Sequence, residues 1–320
     1  MFKKVTIIGL GLIGSSMARG IKEKELAEQL VAADRDQNVC DKVMELGVVD
    51  EATANLAEGI KDSDLIILAV PVGAIEDVGK EIGPFLKPDA IVTDTGSVKQ
   101  AVVDALQPFL PESVHLVPGH PIAGTEFSGP ESGFAELFHG RWAILTPLPE
   151  TSIKAVEKIT ALWQALGSNI EIMDPKHHDL VLGITSHLPH LIAYTIVGTA
   201  TELEDDVKSE VLKFSASGFR DFTRIAASDP TMWRDVFLYN RVAVLDVLQR
   251  FTEDLTALQK AIRRGDGDYL YKTFSETRDI RKQIIDLGQA DYAAAPDMAG
   301  VAPAGTPPAV APHKGSASSG

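Results

Sequence analysis

The chain has 320 residues, 45% of them hydrophobic and 23% charged, enough to bury the cores of two domains. Its formal net charge of −15 argues against a nucleic-acid surface, which needs clustered Lys and Arg, and against anionic membranes. A single cysteine, Cys40, excludes a disulfide within one chain and points to a reducing, cytoplasmic setting.

In chain order, residues 5–8, 30–33, 64–70, 90–94 and 114–117 read as strands. They are continuous apolar runs rather than alternating ones, as expected for strands covered on both faces. Helical patterns at 13–25 and 74–86 separate them, and strand–helix alternation predicts a doubly wound parallel sheet of the Rossmann type. Two further strands, 142–146 and 170–173, flank a helix at 152–166 and complete a first domain over residues 1–173.

After Asp174 the strand signal ends. Helical periods at 175–202, 206–217, 229–262 and 266–288 predict an all-helical second domain over 174–292. Asp229 and Pro230 read as an N-cap with proline at the first helical position. The apolar stretch 180–200 carries His187, Pro189 and His190, which argues against a membrane span. Residues 293–320, rich in Ala, Pro, Gly and Ser, are expected to be a disordered tail.

A dinucleotide fingerprint follows the first strand: Gly9, Gly11 and Gly14, with Leu12 and Ile13 opening the helix. Gly9 allows the tight turn, Gly11 the approach of a pyrophosphate, and Gly14 close helix–strand packing. Asp34, ending the second strand, suits a ribose diol and favours NAD over NADP, while the adjacent Arg35 softens that preference. Val70 and Pro71, after the third strand, belong under the adenosine or the nicotinamide ribose. His120 stands between Gly119 and Pro121 at a strand end, among small residues that leave room around an imidazole.

The segments Gly9–Gly14, 95–99 (TGSVK), 120–126 (HPIAGTE), 185–190 (TSHLPH) and 218–224 (GFRDFTR) together resemble the prephenate and arogenate (cyclohexadienyl) dehydrogenases of tyrosine biosynthesis, over about residues 3–290. The resemblance implies NAD-dependent oxidative decarboxylation of a cyclohexadienol. It assigns His120 as the base for the ring hydroxyl and Ser97 as its partner at the same hydroxyl, near the cofactor; Ser97 alone also reads as a helix N-cap.

The resemblance further implies that Arg224 binds the ring carboxylate, with Arg220 the competing candidate and Asp221 a possible support. His190 would meet the substrate side chain, which leans towards prephenate; Gly124 and Thr125 would make room for the ring. Glu126 and Asp179 would close the pocket, with Trp233 as a wall. His187 and His190 lack a third ligand, so no metal is expected. The helical domain would form a homodimer, and no regulatory domain is expected after Tyr292. The alternatives are a β-hydroxyacid dehydrogenase or imine reductase, and an NAD-sensing regulator without catalysis.

Overall fold

The computed structural model describes residues 1–125, 127–201 and 217–284; Glu126, the tail at 293–320 and all but the end of the helix expected at 206–217 lie outside them. The chain divides into compact units at residues 1–252 and 253–320.

The first unit opens with β1 (Phe2–Ile8), α1 (Leu12–Glu23), β2 (Ala27–Ala33), α2 (Gln37–Glu45), β3 (Glu51–Thr53), α3 (Leu56–Ile60) and β4 (Leu65–Leu68). It continues through α4 (Ile75–Ile82), β5 (Ile91–Asp94), α5 (Gln100–Leu106) and β6 (His115–Leu116). Six parallel strands lie in the order β3-β2-β1-β4-β5-β6, so the winding reverses between β1 and β4, where such sheets open a crevice. Alternation along the strands divides the core. Val5 and Ile7 of β1 join Met17, Ile21 and Trp163 on one face, while Ile8, Leu68, Ile75 and Val92 fill the other.

The fifth predicted strand does not run on to His120. The chain leaves the parallel sheet after β6, and β7 (Gly119–Pro121) enters a second sheet, ordered β7-β8-β9. There it pairs antiparallel with β8 (Trp142–Leu145), which runs parallel to β9 (Asn169–Ile172). The first ladder ends at Val117, whose N–H reaches the Val92 carbonyl; the next N–H in register, that of Gly119, goes to the Asp94 side chain instead. Between β8 and β9, α6 (Ile153–Ala165) buries Trp163 edge-on against Phe138.

Helices follow: α7 (Pro175–Leu182), one π-helical turn (Gly183–His187), α8 (Leu188–Thr201), α9 (Ser217–Thr223), α10 (Pro230–Tyr239) and α11 (Arg241–Arg264). Asp174 caps α7 through the N–H groups of Lys176 and His177, and Asp229 caps α10 through that of Met232, each before a proline. Pro189 cannot donate to the preceding turn, and the loosened π turn lies just before it. Residues Pro175–Ala200 form a helical run long and apolar enough to cross a membrane by length and composition. Its buried His178 and His187 are nevertheless hydrogen-bonded to His120 and Asn240.

The single helix expected at 229–262 is two helices. Asn240 interrupts it with φ −101° and ψ 29°, its side chain turned inward to the Asp179 carbonyl at 2.8 Å and His187 Nδ1 at 3.0 Å. In the second unit, α12 (Gly267–Ile284) occupies most of the helix expected at 266–288.

A methyl group at Gly14 would stand 2.0 Å from the Gly9 carbonyl oxygen, whereas one at Gly11 would meet no atom within 4 Å. Gly14→Ala should therefore lower the unfolding free energy by about 1–3 kcal/mol, measured from denaturant midpoints, and Gly11→Ala by clearly less. Equal losses would contradict this packing.

Candidate active site

The glycine turn at the switch point has the geometry a dinucleotide requires. Gly9 sits at φ +88°, a conformation that favours glycine, and a Cβ there would meet the Ala69 carbonyl at 2.6 Å. The open space beside Gly11 is where a pyrophosphate would pass. No side chain caps α1, which leaves the N–H groups of its first turn, at Leu12 and Ile13, for an anion. The residues present thus fit the cofactor inferred from sequence.

Asp34 is held at the end of β2 by the N–H groups of Leu10 (3.1 Å) and Asp36 (3.0 Å). It lines a cleft with Arg35, Leu56, Val70, Pro71 and Val78. Arg35 turns to Glu81 at 3.3 Å.

Beside this cleft, a chain of hydrogen bonds runs from α5 to His120. Asp179, in α7, accepts the N–H groups of Lys99 (2.7 Å) and Gln100 (3.0 Å) and so caps α5 from another element. The N-cap position is Lys99, so Ser97 does not cap this helix; it sits half-buried in the loop between β5 and α5. Asp179 Oδ1 also lies 2.8 Å from His178 Nδ1, and His178 Nε2 lies 2.9 Å from His120 Nδ1.

These contacts determine the protons. An ionised carboxylate only accepts, so His178 Nδ1 donates to Asp179. The neutral His178 ring then offers a lone pair at Nε2, and His120 Nδ1 must donate to it. His120 Nε2 is left as an acceptor. Both rings stay neutral because burial pushes their pKa values down: His120 well below its ordinary 6.5, with the neighbouring His178, Lys99 and His187 adding to the effect, and His178 less far, since Asp179 opposes the shift.

A buried ion pair locks the strand ends on which this depends. Lys99 Nζ contacts Asp94 Oδ2 and donates to the Gly119 carbonyl at 2.6 Å. Asp94 also accepts the N–H groups of Gly96 (2.8 Å) and Gly119 (3.1 Å). The loop carrying Ser97 and the strand carrying His120 are thereby tied together. Burial lowers the Lys99 pKa, and Asp94 opposes that shift.

A third group stands on the helices. His190 Nδ1 donates to the Ser186 carbonyl at 2.9 Å, and the ring stacks on Trp233 with centroids 3.6 Å apart. Burial lowers the His190 pKa, and the positive charge of Arg224 lowers it further. Trp233 packs on Val98, next to Ser97, and on Val236. His187 is buried and pushed to about 4, chiefly by desolvation. Its Nε2 has no hydrogen-bond partner of good geometry, although the Ser97 backbone weakly favours its charged form.

His120, Asp179, His190, Trp233 and the neighbourhoods of Ser97 and Arg224 thus gather in one region. Gly124 and Thr125 lie in the loop after β7; a Cβ at Gly124 would meet no atom, and Thr125 Oγ1 accepts from Phe127 N at 3.3 Å. Sequence reasoning missed His178, Asn240 and the Asp94–Lys99 pair. The only available signal was the run His177-His178-Asp179 directly after a helix cap.

Two family models cover most of the chain: "Prephenate dehydrogenase, nucleotide-binding domain" over residues 17–172 and "Prephenate dehydrogenase, dimerization domain" over 174–276. Cyclohexadienyl dehydrogenase of Zymomonas mobilis is 43% identical over 281 residues, 88% of this chain and 96% of that protein. Prephenate dehydrogenase of Bacillus subtilis is 32% identical over 87% of this chain and 75% of its own length. The crystal structure of the A. aeolicus prephenate dehydrogenase in complex with hydroxyphenyl propionate and NAD+ superposes with a TM-score of 0.83 at 34% identity, covering 89% of this chain and 99% of that one. A sheet with its switch-point cleft, helices after it in the chain and two matching family models lead to one conclusion: this chain belongs to the prephenate dehydrogenase family.

Proposed function

We propose that the chain catalyses NAD-dependent oxidative decarboxylation of prephenate, and of arogenate, in tyrosine biosynthesis. The observation that carries this reading is the chain of contacts from Asp179 through His178 to His120 Nδ1, which leaves His120 Nε2 as the acceptor. Bound NAD accepts hydride from C4 of the ring.

The protein's own task is to move one proton and hold one carboxylate. His120 Nε2 takes the proton of the C4 hydroxyl, with Ser97 oriented to the same oxygen. Arg224 supplies a guanidinium whose fork matches the C1 carboxylate that leaves as carbon dioxide. Asp179 serves as a positioning residue, since its oxygens are engaged by α5 and His178. Trp233 stacks on the His190 ring, whose Nδ1 donates to the Ser186 carbonyl; His190 would meet the substrate side chain. Glu126, Gly124 and Thr125 would close the pocket from the loop after β7, and Asp34, Arg35, Val70 and Pro71 would hold the adenosine half of NAD.

The match to a dimerisation domain supports a homodimer built through the helices, where Leu238, Val242 and Leu245 are exposed. The acidic composition and the single buried cysteine fit a cytoplasmic enzyme.

Mixing the protein with NAD and prephenate, then with arogenate, should produce NADH absorbance with each. His120→Asn should lower kcat by about 10²- to 10⁴-fold with a small change in KM, the range for losing a general base. Flat traces with both dienes, or an undiminished kcat in the variant, would contradict the proposal.

The pH dependence follows from the depressed imidazoles. His120 must be neutral to act, and its folded pKa lies well below 6.5, so its contribution to kcat/KM should be level above pH 6.5 and fall only at lower pH. Stability should follow the same sign. The unfolded chain binds protons at its histidines from pH 6.5 downward, whereas folded His187 binds one only near pH 4. Stability present above pH 6.5 is therefore lost progressively as pH falls through that window. Thermal midpoints that held steady down to pH 4 would contradict the burial of these rings.

A further inference from the structure

The cleft walls carry a charge that the reading above leaves idle. Ala74, Val78 and Glu81 recur at helical spacing, on one side of the cleft; Ala74 belongs to the turn before α4, and Val78 and Glu81 to the helix itself. Ala74 and Val78 line the adenosine pocket, and Glu81, one turn further, reaches Arg35 with Oε2 3.3 Å from a terminal guanidinium nitrogen. Both side chains remain solvent-accessible, at 58% for Arg35 and 43% for Glu81. The nearby cation on the same helix, Lys80, is engaged with Glu76 at 2.6 Å and Asp77 at 3.7 Å. Arg35 is thus the counterion of Glu81.

Arg35 follows Asp34 in sequence and lines the same pocket. A guanidinium at this place is the group that would bind a 2′-phosphate on the adenosine ribose. We infer that Glu81 is a specificity-determining residue, which discriminates against NADP by occupying the Arg35 guanidinium. Asp34 rejects the phosphate by charge, and Glu81 withholds the cation beside it that would welcome it. The two acids act through different contacts, so removing Glu81 alone weakens the discrimination. This inference rests on the dinucleotide occupying the switch-point cleft.

Direct calorimetric titration of the full-length protein with NAD+ and with NADP+ tests it, in the wild type, Glu81→Gln, Arg35→Ala and the double variant. The position is exposed and the replacement isosteric, so the variant chain should fold normally. Glu81→Gln should tighten NADP+ relative to NAD+ by about fivefold, the scale set by one exposed charge pair. The same replacement in the Arg35→Ala background should leave the ratio of the two dissociation constants unchanged. An unchanged ratio in Glu81→Gln would overturn the inference, and so would a shift that persists without Arg35, since Glu81 would then repel the phosphate directly. Failure of the wild type to bind either dinucleotide would instead overturn the placement of the cofactor.

Discussion

Three groups meet on one carboxylate. Asp179 receives two N–H groups from the first turn of α5 and the Nδ1 proton of His178. Hydrogen bonds to an ionised acceptor contribute roughly 1.5–3 kcal/mol each, so this carboxylate is a strong tie between the elements it joins. The capped helix begins beside the loop that carries Ser97, and the histidine leads to His120. One side chain therefore joins the parallel sheet, the second sheet and the helical region, and specifies which nitrogen of His120 is free to accept.

The Asp94–Lys99 pair performs the complementary task on the backbone. It lies wholly inside the protein, and breaking such a pair by removing one partner typically costs about 3–5 kcal/mol. Its remaining hydrogen bonds go to Gly96 and to both backbone groups of Gly119. A base held at the switch from one sheet to another needs that support, because β6 and β7 are short and share no ladder. The positive charge near His120 also disfavours imidazolium, so the same clamp that positions the ring helps to keep it basic.

Much of the fold is legible in the sequence because it rests on local signals. Continuous apolar runs mark β1, β2, β4 and β5, and aspartate–proline pairs mark the starts of α7 and α10. The glycine spacing locates the cleft, since Gly9 and Gly14 answer steric demands of the turn while Gly11 borders open space. β3, with the residues Glu51, Ala52 and Thr53, is too short and polar to announce itself. The break at Asn240 leaves no local trace either, because its cause is a pair of contacts 53 and 61 residues away. The same applies to the site. His120 stands out by its neighbours, but the partner that orients it lies 58 residues along the chain. Lys99 looks like an ordinary first-turn residue until the fold closes over it, and His178 like the middle of a polar run.

The account depends on which nitrogen of one ring carries the proton. Nitrogen-15 NMR of the full-length protein with labelled histidine, at neutral pH, reads this directly for His120, assigned by its loss in His120→Asn. A neutral ring protonated at Nδ1, with Nε2 bare, is expected, and a ring protonated at Nε2 or a charged imidazolium would contradict the proposed proton transfer.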